Sequence, residues 1–292
     1  MAADSGELNR RVAFFGMMDS PRPSVAIVVP WPGGDGLTQS QEISLRHLRR
    51  FFGGHDIYLI APWGARCRLN GMRIMRFRPR YFGSAAAHGL LLMSKGFYKR
   101  FRNYEHVMFY HLDSLVFSDE LKEWCDKPYD YIGAPWFRCE DSPWVDRARV
   151  GNGGFALLRV SKAIEALDAR HRYIRESRWL DLHVMWTPEF VAKWIERMAL
   201  WFPKSKLLTR LVEERNKFMD PASNNRNNDI FWSDMANYYL PDFRVAPFSD
   251  GLRFAFEVSP RECLRMNGGC MPFGCHAWER YDREFWEPHL LP

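Results

Sequence analysis

The sequence predicts an α/β fold with a mostly parallel central sheet, flanking helices and a helical insertion. Three observations carry that expectation. VAIVVP (Val25 to Pro30) and HDIYLIAPW are apolar, strand-like runs separated by a segment of helical period, which is a β-α-β unit. YEHVMFYHLDSLVF (Tyr104 to Phe117) reads as a further buried strand, with Val107, Met108, Phe109 and Tyr110 at its centre. The alternation of strand and helix then continues through FALLRV and is interrupted over residues 172–222.

Taken in order, residues 1–22 read as a loose leader, and residues 23–292 as one catalytic-sized domain. Val25 to Pro30 is unbroken and β-branched, as expected of a strand covered on both faces. The loop WPGGDG lacks the G-x-G-x-x-G spacing of a dinucleotide fingerprint, and a bare loop beside a uridine or ribose pocket fits it as well. Thr38 and Gln41 have capping-box spacing, and Leu45, Leu48 and Phe52 share the face of the helix that follows. Met72 to Phe82 reads as a third strand, with Arg73, Arg76, Arg78 and Arg80 along a basic edge. Of these, Arg80 at the strand end is best placed for a diphosphate. Ser84 to Phe101 reads as one helix, Asp119 to Cys125 as a short one, and YDYIGAPWF as a fifth strand. VGNGGFALLRV (Val150 to Val160) packs glycines tightly before a strand, which permits close approach of a ligand but is also how an ordinary hairpin turn is built. Ser161 caps a helix to about His171. Thr187 and Pro188 open an amphipathic helix in the insertion, a second follows, and short strands are expected around Phe243 to Val245 and Phe254 to Val258.

Composition narrows the function. The chain has 292 residues, a formal charge of +6 and 12 tryptophans, a balance that suits an anionic substrate or an anionic membrane surface. No nucleic-acid motif is present. No run of apolar residues is long enough to span a bilayer, and no secretion signal is visible, so the expected location is cytoplasmic or peripheral on an inner membrane. The six cysteines are scattered, without the C-x-x-C pair that would argue for zinc.

Three separated pieces place chemistry-bearing side chains at element boundaries: HLD at 111–113, NND at 227–229 and FGCHAW at 273–278. Alone, Asp113 is equally a turn cap or a metal ligand, Asp229 is a helix cap, and His276 is a hydrogen-bonded structural histidine. Read together with GNGGF, their order resembles the GT-A glycosyltransferases. YHLDSLVFSDEL, YDYIGAPW, VGNGGFALLRV, NNDIFWS and NGGCMPFGCHAWERYDREFW also look like a bacterial, glycosyltransferase-like family catalogued as a domain of unknown function.

That resemblance implies a GT-A domain with a nucleotide-binding half over residues 23–118 and an acceptor half over 119–292 that carries the insertion. It implies Mn²⁺ or Mg²⁺ held by Asp113, in the place of the last carboxylate of a DxD motif, and by His276. It implies a nucleotide-sugar donor, most simply a UDP-sugar, lying against Pro30, Arg80, Ser84, His111, Asp113, Gly153 and Gly154. The acceptor, a bacterial glycan or its lipid-linked precursor, would meet Trp136, Asn152 and Asn228. Asp229 would be the general base of an inverting transfer. Two positions depart from the pattern: His111 stands where an acid is usual, and Asn228 where a glutamate is. These departures leave open a catalytically silent glycan- or nucleotide-binding module. A sugar nucleotidyltransferase is the other alternative, although its glycine-rich, lysine-bearing loop is not seen. The basic, tryptophan-bearing insertion invites either contact with an anionic membrane or packing against the catalytic domain or a partner subunit.

Overall fold

A computed structural model describes residues 24–31, 36–66, 69–176, 198, 205 and 228–292. The leader, Gly33 and Gly34 of WPGGDG and nearly all of the insertion, including Trp194 and Trp201, lie outside the described residues. So does the membrane contact expected of that insertion.

The central sheet has six strands, from edge to edge Arg73–Phe77, Asp56–Pro62, Val25–Pro30, His106–Tyr110, Phe155–Arg159 and Tyr131–Gly133. Strand β1 (Val25–Pro30) pairs in parallel with β2 (Asp56–Pro62) on one side and β4 (His106–Tyr110) on the other, and β2 pairs in parallel with β3 (Arg73–Phe77). The chain therefore winds one way from β1 to β3 and returns to the far side of β1, leaving a topological switch point between β1 and β4. Two antiparallel strands extend that side, β9 (Phe155–Arg159) against β4 and β6 (Tyr131–Gly133) against β9. All five residues of β4 are buried, which is why its sequence is unbroken in hydrophobicity rather than alternating.

Helix α1 (Gln39–Phe52) begins as its sequence dictates. Thr38 Oγ1 accepts from the Gln41 amide at 3.2 Å, and Gln41 Oε1 accepts from the Thr38 amide at 3.0 Å. Its buried face, including Leu45, Leu48 and Phe52, packs on the sheet. The expected third strand stops early. Arg78 precedes Pro79, whose ring disfavours continued pairing, and Pro79–Tyr81 forms a 3₁₀ turn. The single helix expected over Ser84 to Phe101 is two, α2 (Ala85–Leu92) and α3 (Lys95–Lys99), with Met93 closing the first and Ser94 opening the second. The short helix expected from Asp119 is α4 (Leu121–Cys125). The expected fifth strand is also two. At Ala134 the carbonyl turns aside to accept from both the Gly151 and Asn152 amides, each at 3.0 Å, and β7 (Pro135–Trp136) pairs instead with β8 (Arg149–Val150). Helix α5 runs to Glu176, beyond the expected His171. Val245 makes only a single bridge to Tyr131.

A second, three-stranded sheet sets the site. Strand β10 (Ala255–Phe256) pairs in parallel with β11 (Gly274–Cys275), which pairs antiparallel with β5 (Leu115–Val116). It sits on its own apolar cluster of Leu115, Phe256, Cys275, Trp278 and Trp286. The directions matter. Glu257 follows β10, His276 follows β11, and Asp113 precedes the antiparallel β5, so all three emerge at one edge. Among the described residues no helix is long and apolar enough to cross a membrane.

Candidate active site

The turn after β4 delivers His111 and Asp113. It is held by the Ser114 amide donating to His111 O at 3.0 Å and the Trp278 amide donating to Asp113 O at 3.2 Å. The buried Tyr110 hydroxyl lies 2.8 Å from Ser44 O and 2.9 Å from Ser114 O, so helix α1 and the turn share one anchor. Because β4 and β9 are antiparallel with Tyr110 opposite Phe155, the GNGGF loop comes alongside this turn, and the His111 amide donates to Gly154 O at 2.9 Å.

His276 Nε2 is 3.3 Å from Asp113, and His276 Nδ1 is 2.9 Å from Glu257 Oε1. Burial alone would push the His276 imidazole down, but Asp113 and Glu257 on its two nitrogens outweigh it and hold the ring up to about 10. Burial likewise opposes ionisation of Asp113, and the facing His276 overcomes it, leaving the carboxyl well below the usual carboxylate range. Burial pushes His111 down to about 3, with His88 and His276 adding to the effect. His111 Nε2 is buried without a hydrogen-bond partner.

His111, Asp113 and His276 each offer one ligand atom, and these atoms lie within 4.8 Å of one another. A carboxylate, two imidazoles and an unpartnered buried nitrogen among them fit a divalent cation.

Glu257 is the residue that sequence reading missed. It is 7% exposed, and an isolated carboxylate at such a depth costs several kcal/mol unless paired. Here it is paired three times: Trp136 Nε1 donates to Oε2 at 2.7 Å, Asn152 Nδ2 donates to Oε1 at 2.6 Å, and His276 Nδ1 reaches Oε1. Glu257 thereby fixes which nitrogen of His276 faces Asp113. The signal was present as an acid between Phe256 and Val258 in an otherwise apolar strand. Trp136 and Asn152, expected to face an acceptor, instead spend their polar groups on Glu257 and are buried. The exposed aromatic in that region is Trp144, which packs edge-on against Trp136 with centroids 5.3 Å apart.

Asp229 approaches from a third segment, the short helical turn Asn228–Ile230, which continues as a π turn over Phe231–Met235. Asn228 Nδ2 donates to Asp229 Oδ1 at 2.6 Å. Desolvation, reinforced by the Glu257 charge, pushes the Asp229 carboxyl up to about 7 against the opposing pull of His276, the Gly153 backbone and Asn228.

The glycines of GNGGF are explained by these neighbours. A Cβ on Gly153 would stand 2.3 Å from Asp229 Oδ1, and one on Gly154 would stand 2.1 Å from His276 Nε2. The loop is therefore more than a hairpin turn: its bare backbone lets the Asp229 and His276 side chains close in on adjacent residues.

Beside this cluster, at the C-terminal ends of β1 and β4, lies a cavity of about 490 Å³ lined by Pro30, Trp31, Ser84, His88, His111, Asp113 and Glu279 among others. Ser84 also caps helix α2 by accepting from the Ala87 amide at 3.1 Å. Arg80 is not part of the lining. Its guanidinium lies over the Tyr81 ring, 4.8 Å from the centroid, and donates to the Tyr81 hydroxyl, and Tyr81 itself faces the cavity. Open crevices at a switch point are where α/β sheets bind ligands.

The chain is similar in shape to several solved structures at low sequence identity. One is a glycosyltransferase involved in glycosylation of the major capsid of PBCV-1, at 10% identity and TM-score 0.45, covering 91% of this chain and 98% of that one. Another is the galactosyltransferase LgtC in complex with donor and acceptor sugar analogues, at 14% identity and TM-score 0.45, covering 90% and 92%. The apo glycosyltransferase GlyE of Streptococcus pneumoniae TIGR4 matches at 12% identity and TM-score 0.42, covering 91% of this chain and 60% of that one. No curated protein matches the sequence. The model of a family described as "Protein of unknown function (DUF5672)" matches residues 71–276, which contain HLD, GNGGF, Asp229, Glu257 and His276. The chain belongs to the DUF5672 family.

Proposed function

We propose that this protein is a metal-dependent glycosyltransferase that moves a sugar from a nucleotide-sugar donor to a glycan or lipid-linked glycan hydroxyl, with inversion. The observation that supports it most is the convergence of four segments far apart in sequence, one of which, carrying His111 and Asp113, lines the cavity. Asp113, His276 and His111 form a cation-binding cluster, and Asp229 stands across the Gly153–Gly154 turn from it.

Each residue has a task in this reading. Asp113 and His276 hold a Mn²⁺ or Mg²⁺ ion, with His276 kept in register by Glu257. That ion, when bound, neutralises the charge of the departing nucleoside diphosphate. Pro30 and Ser84, with the rest of the cavity wall, seat the nucleotide. Gly153 and Gly154, lacking side chains, let Asp229 and His276 close in on the loop, so that both can reach one donor sugar. Asp229 accepts the proton of the acceptor hydroxyl as it attacks the anomeric carbon. A carboxyl lifted to about 7 suits that role, because a base works best when its pKa lies near the working pH.

The test is a set of nucleotide sugars incubated with the protein and MnCl₂, following release of the nucleoside diphosphate. The reading expects slow, EDTA-sensitive hydrolysis of at least one donor without acceptor, absent in a folded Asp113→Ala variant. Metal-dependent binding without release from any donor would instead identify a silent binding module.

A further inference from the structure

We infer that the cation position is built to be nitrogen-rich, so that it selects Mn²⁺ or a later transition-metal dication over Mg²⁺, with His111 as the residue that sets the preference. This rests on the divalent-ion reading above and goes beyond it.

The donor atoms decide the matter. Of the three side chains whose ligand atoms lie within 4.8 Å of one another, only Asp113 brings oxygen. His276 has its Nδ1 engaged by Glu257 at 2.9 Å, so Nε2 is the atom it turns to the site, 3.3 Å from Asp113. The His111 ring stands edge-on to His276, with centroids 5.5 Å apart, and its Nε2 is buried with no hydrogen-bond partner. A buried imidazole nitrogen without a partner is uncommon and calls for an explanation, and a ligand role supplies one. Behind His111, His88 packs edge-on at 5.5 Å and also keeps a buried Nε2 without a partner, so the wall on this side of the cluster is imidazole rather than carboxylate. Glu279 lines the same cavity, but it is not one of the clustered ligands and it pairs with Arg283 at 3.0 Å.

Mg²⁺ favours oxygen donors and near-ideal octahedral geometry, whereas imidazole suits the transition metals. Two nitrogens and one oxygen therefore weight the site against Mg²⁺. Replacing His111 by an acid would restore an oxygen-dominated set and weaken that bias.

The experiment compares Mn²⁺, Co²⁺ and Mg²⁺ binding to the full chain by calorimetry, each alone and with UDP, in the native protein and in His111→Asp. It adds pulsed EPR of the Mn²⁺-loaded protein to count coupled histidine nitrogens. The expectation is a preference for Co²⁺ and Mn²⁺ over Mg²⁺ of about 100-fold, reduced about tenfold or more in His111→Asp. Two coupled imidazoles should be seen in the native protein and one in the variant. If His111→Asp does not fold, the native nitrogen count decides. Comparable affinity for Mn²⁺ and Mg²⁺, or coupling to a single imidazole in the native protein, overturns the selectivity proposal while leaving a divalent site in place. Absence of any divalent-ion binding, with or without UDP, removes both this proposal and the divalent-ion reading beneath it.

Discussion

The two faces of the Gly153–Gly154 turn are built on opposite principles. On the Gly154 face everything ionic is paired: Asp113 meets His276, His276 meets Glu257, and Glu257 is also held by Trp136 and Asn152. On the Gly153 face stands Asp229, with the Asn228 amide on one oxygen and its carboxyl lifted to about 7 by burial. Paired charges give fixed geometry, as an ion site needs. A desolvated acid gives a poised proton affinity, as a base needs. Two adjacent glycines allow both within one turn, so each can be perturbed separately.

The sharpest contrast comes from adding one carbon at each glycine. Gly154→Ala drives a methyl into His276 Nε2 and should weaken metal-dependent UDP binding about 100-fold or more, measured by calorimetry. Gly153→Ala meets Asp229 instead and should leave that binding within about threefold while cutting turnover about 10²–10⁴-fold. Equal loss of binding in both would erase the distinction between the faces.

Exchanging the acids themselves is a gentler version. Glu257→Gln keeps the volume but weakens the grip on His276 Nδ1, and Mn²⁺ affinity should fall about 10–100-fold, the usual scale for a residue that orients a ligand. Asp229→Asn should leave Mn²⁺ affinity unchanged and remove the limb of the pH–rate profile that rises through about 7.

Stability should also separate the faces. Asp229 has a folded pKa raised above its ordinary carboxyl value. The stability it confers is full at low pH and is lost as pH rises through about 7. Asp229→Asn should therefore raise the melting temperature by several degrees at pH 8 and by little at pH 4. An equal gain at both would show that desolvation of the charge is not the cause.

The smallest effect lies beyond both faces. His47 is buried, its Nδ1 donates to Val116 O at 2.9 Å, and its Nε2 accepts from the Leu291 amide at 3.0 Å. Burial lowers its pKa, so the stability it gives is complete above the ordinary imidazole value and declines as pH falls below it. Protonation would set two donors face to face at Leu291. The protection factor of the Leu291 amide, taken relative to its intrinsic exchange rate at each pH, should fall on acidification from pH 7.5 to 5.5, and His47→Gln should remove that dependence.

Much of this site was readable as sequence because its parts sit at element ends. The carboxylate of HLD follows an unbroken strand, the glycines of GNGGF precede one, and both strands are identified by their hydrophobic runs. Less legible was what depends on pairing between distant segments. Glu257 directly follows a two-residue strand whose paired residues are 19 positions away, and local pattern gives no hint that Trp136 and Asn152 turn inward to meet it. The element break at Ala134 was also hidden, because it lies inside an apolar run and is fixed by the distant Gly151 and Asn152 amides. Arg80 differs from these: its guanidinium lies on the ring of its sequence neighbour Tyr81, and Tyr81 rather than Arg80 lines the cavity.

The central claim is that Asp113 and its neighbours hold a cation on which nucleotide binding depends. The direct measurement is calorimetry of UDP with the native protein, Asp113→Ala and Asp229→Asn, each in Mn²⁺ and in EDTA. The account predicts binding in Mn²⁺ alone for the native protein and Asp229→Asn, and none for folded Asp113→Ala. UDP binding that persists in EDTA, or that survives loss of the Asp113 carboxylate, would contradict it.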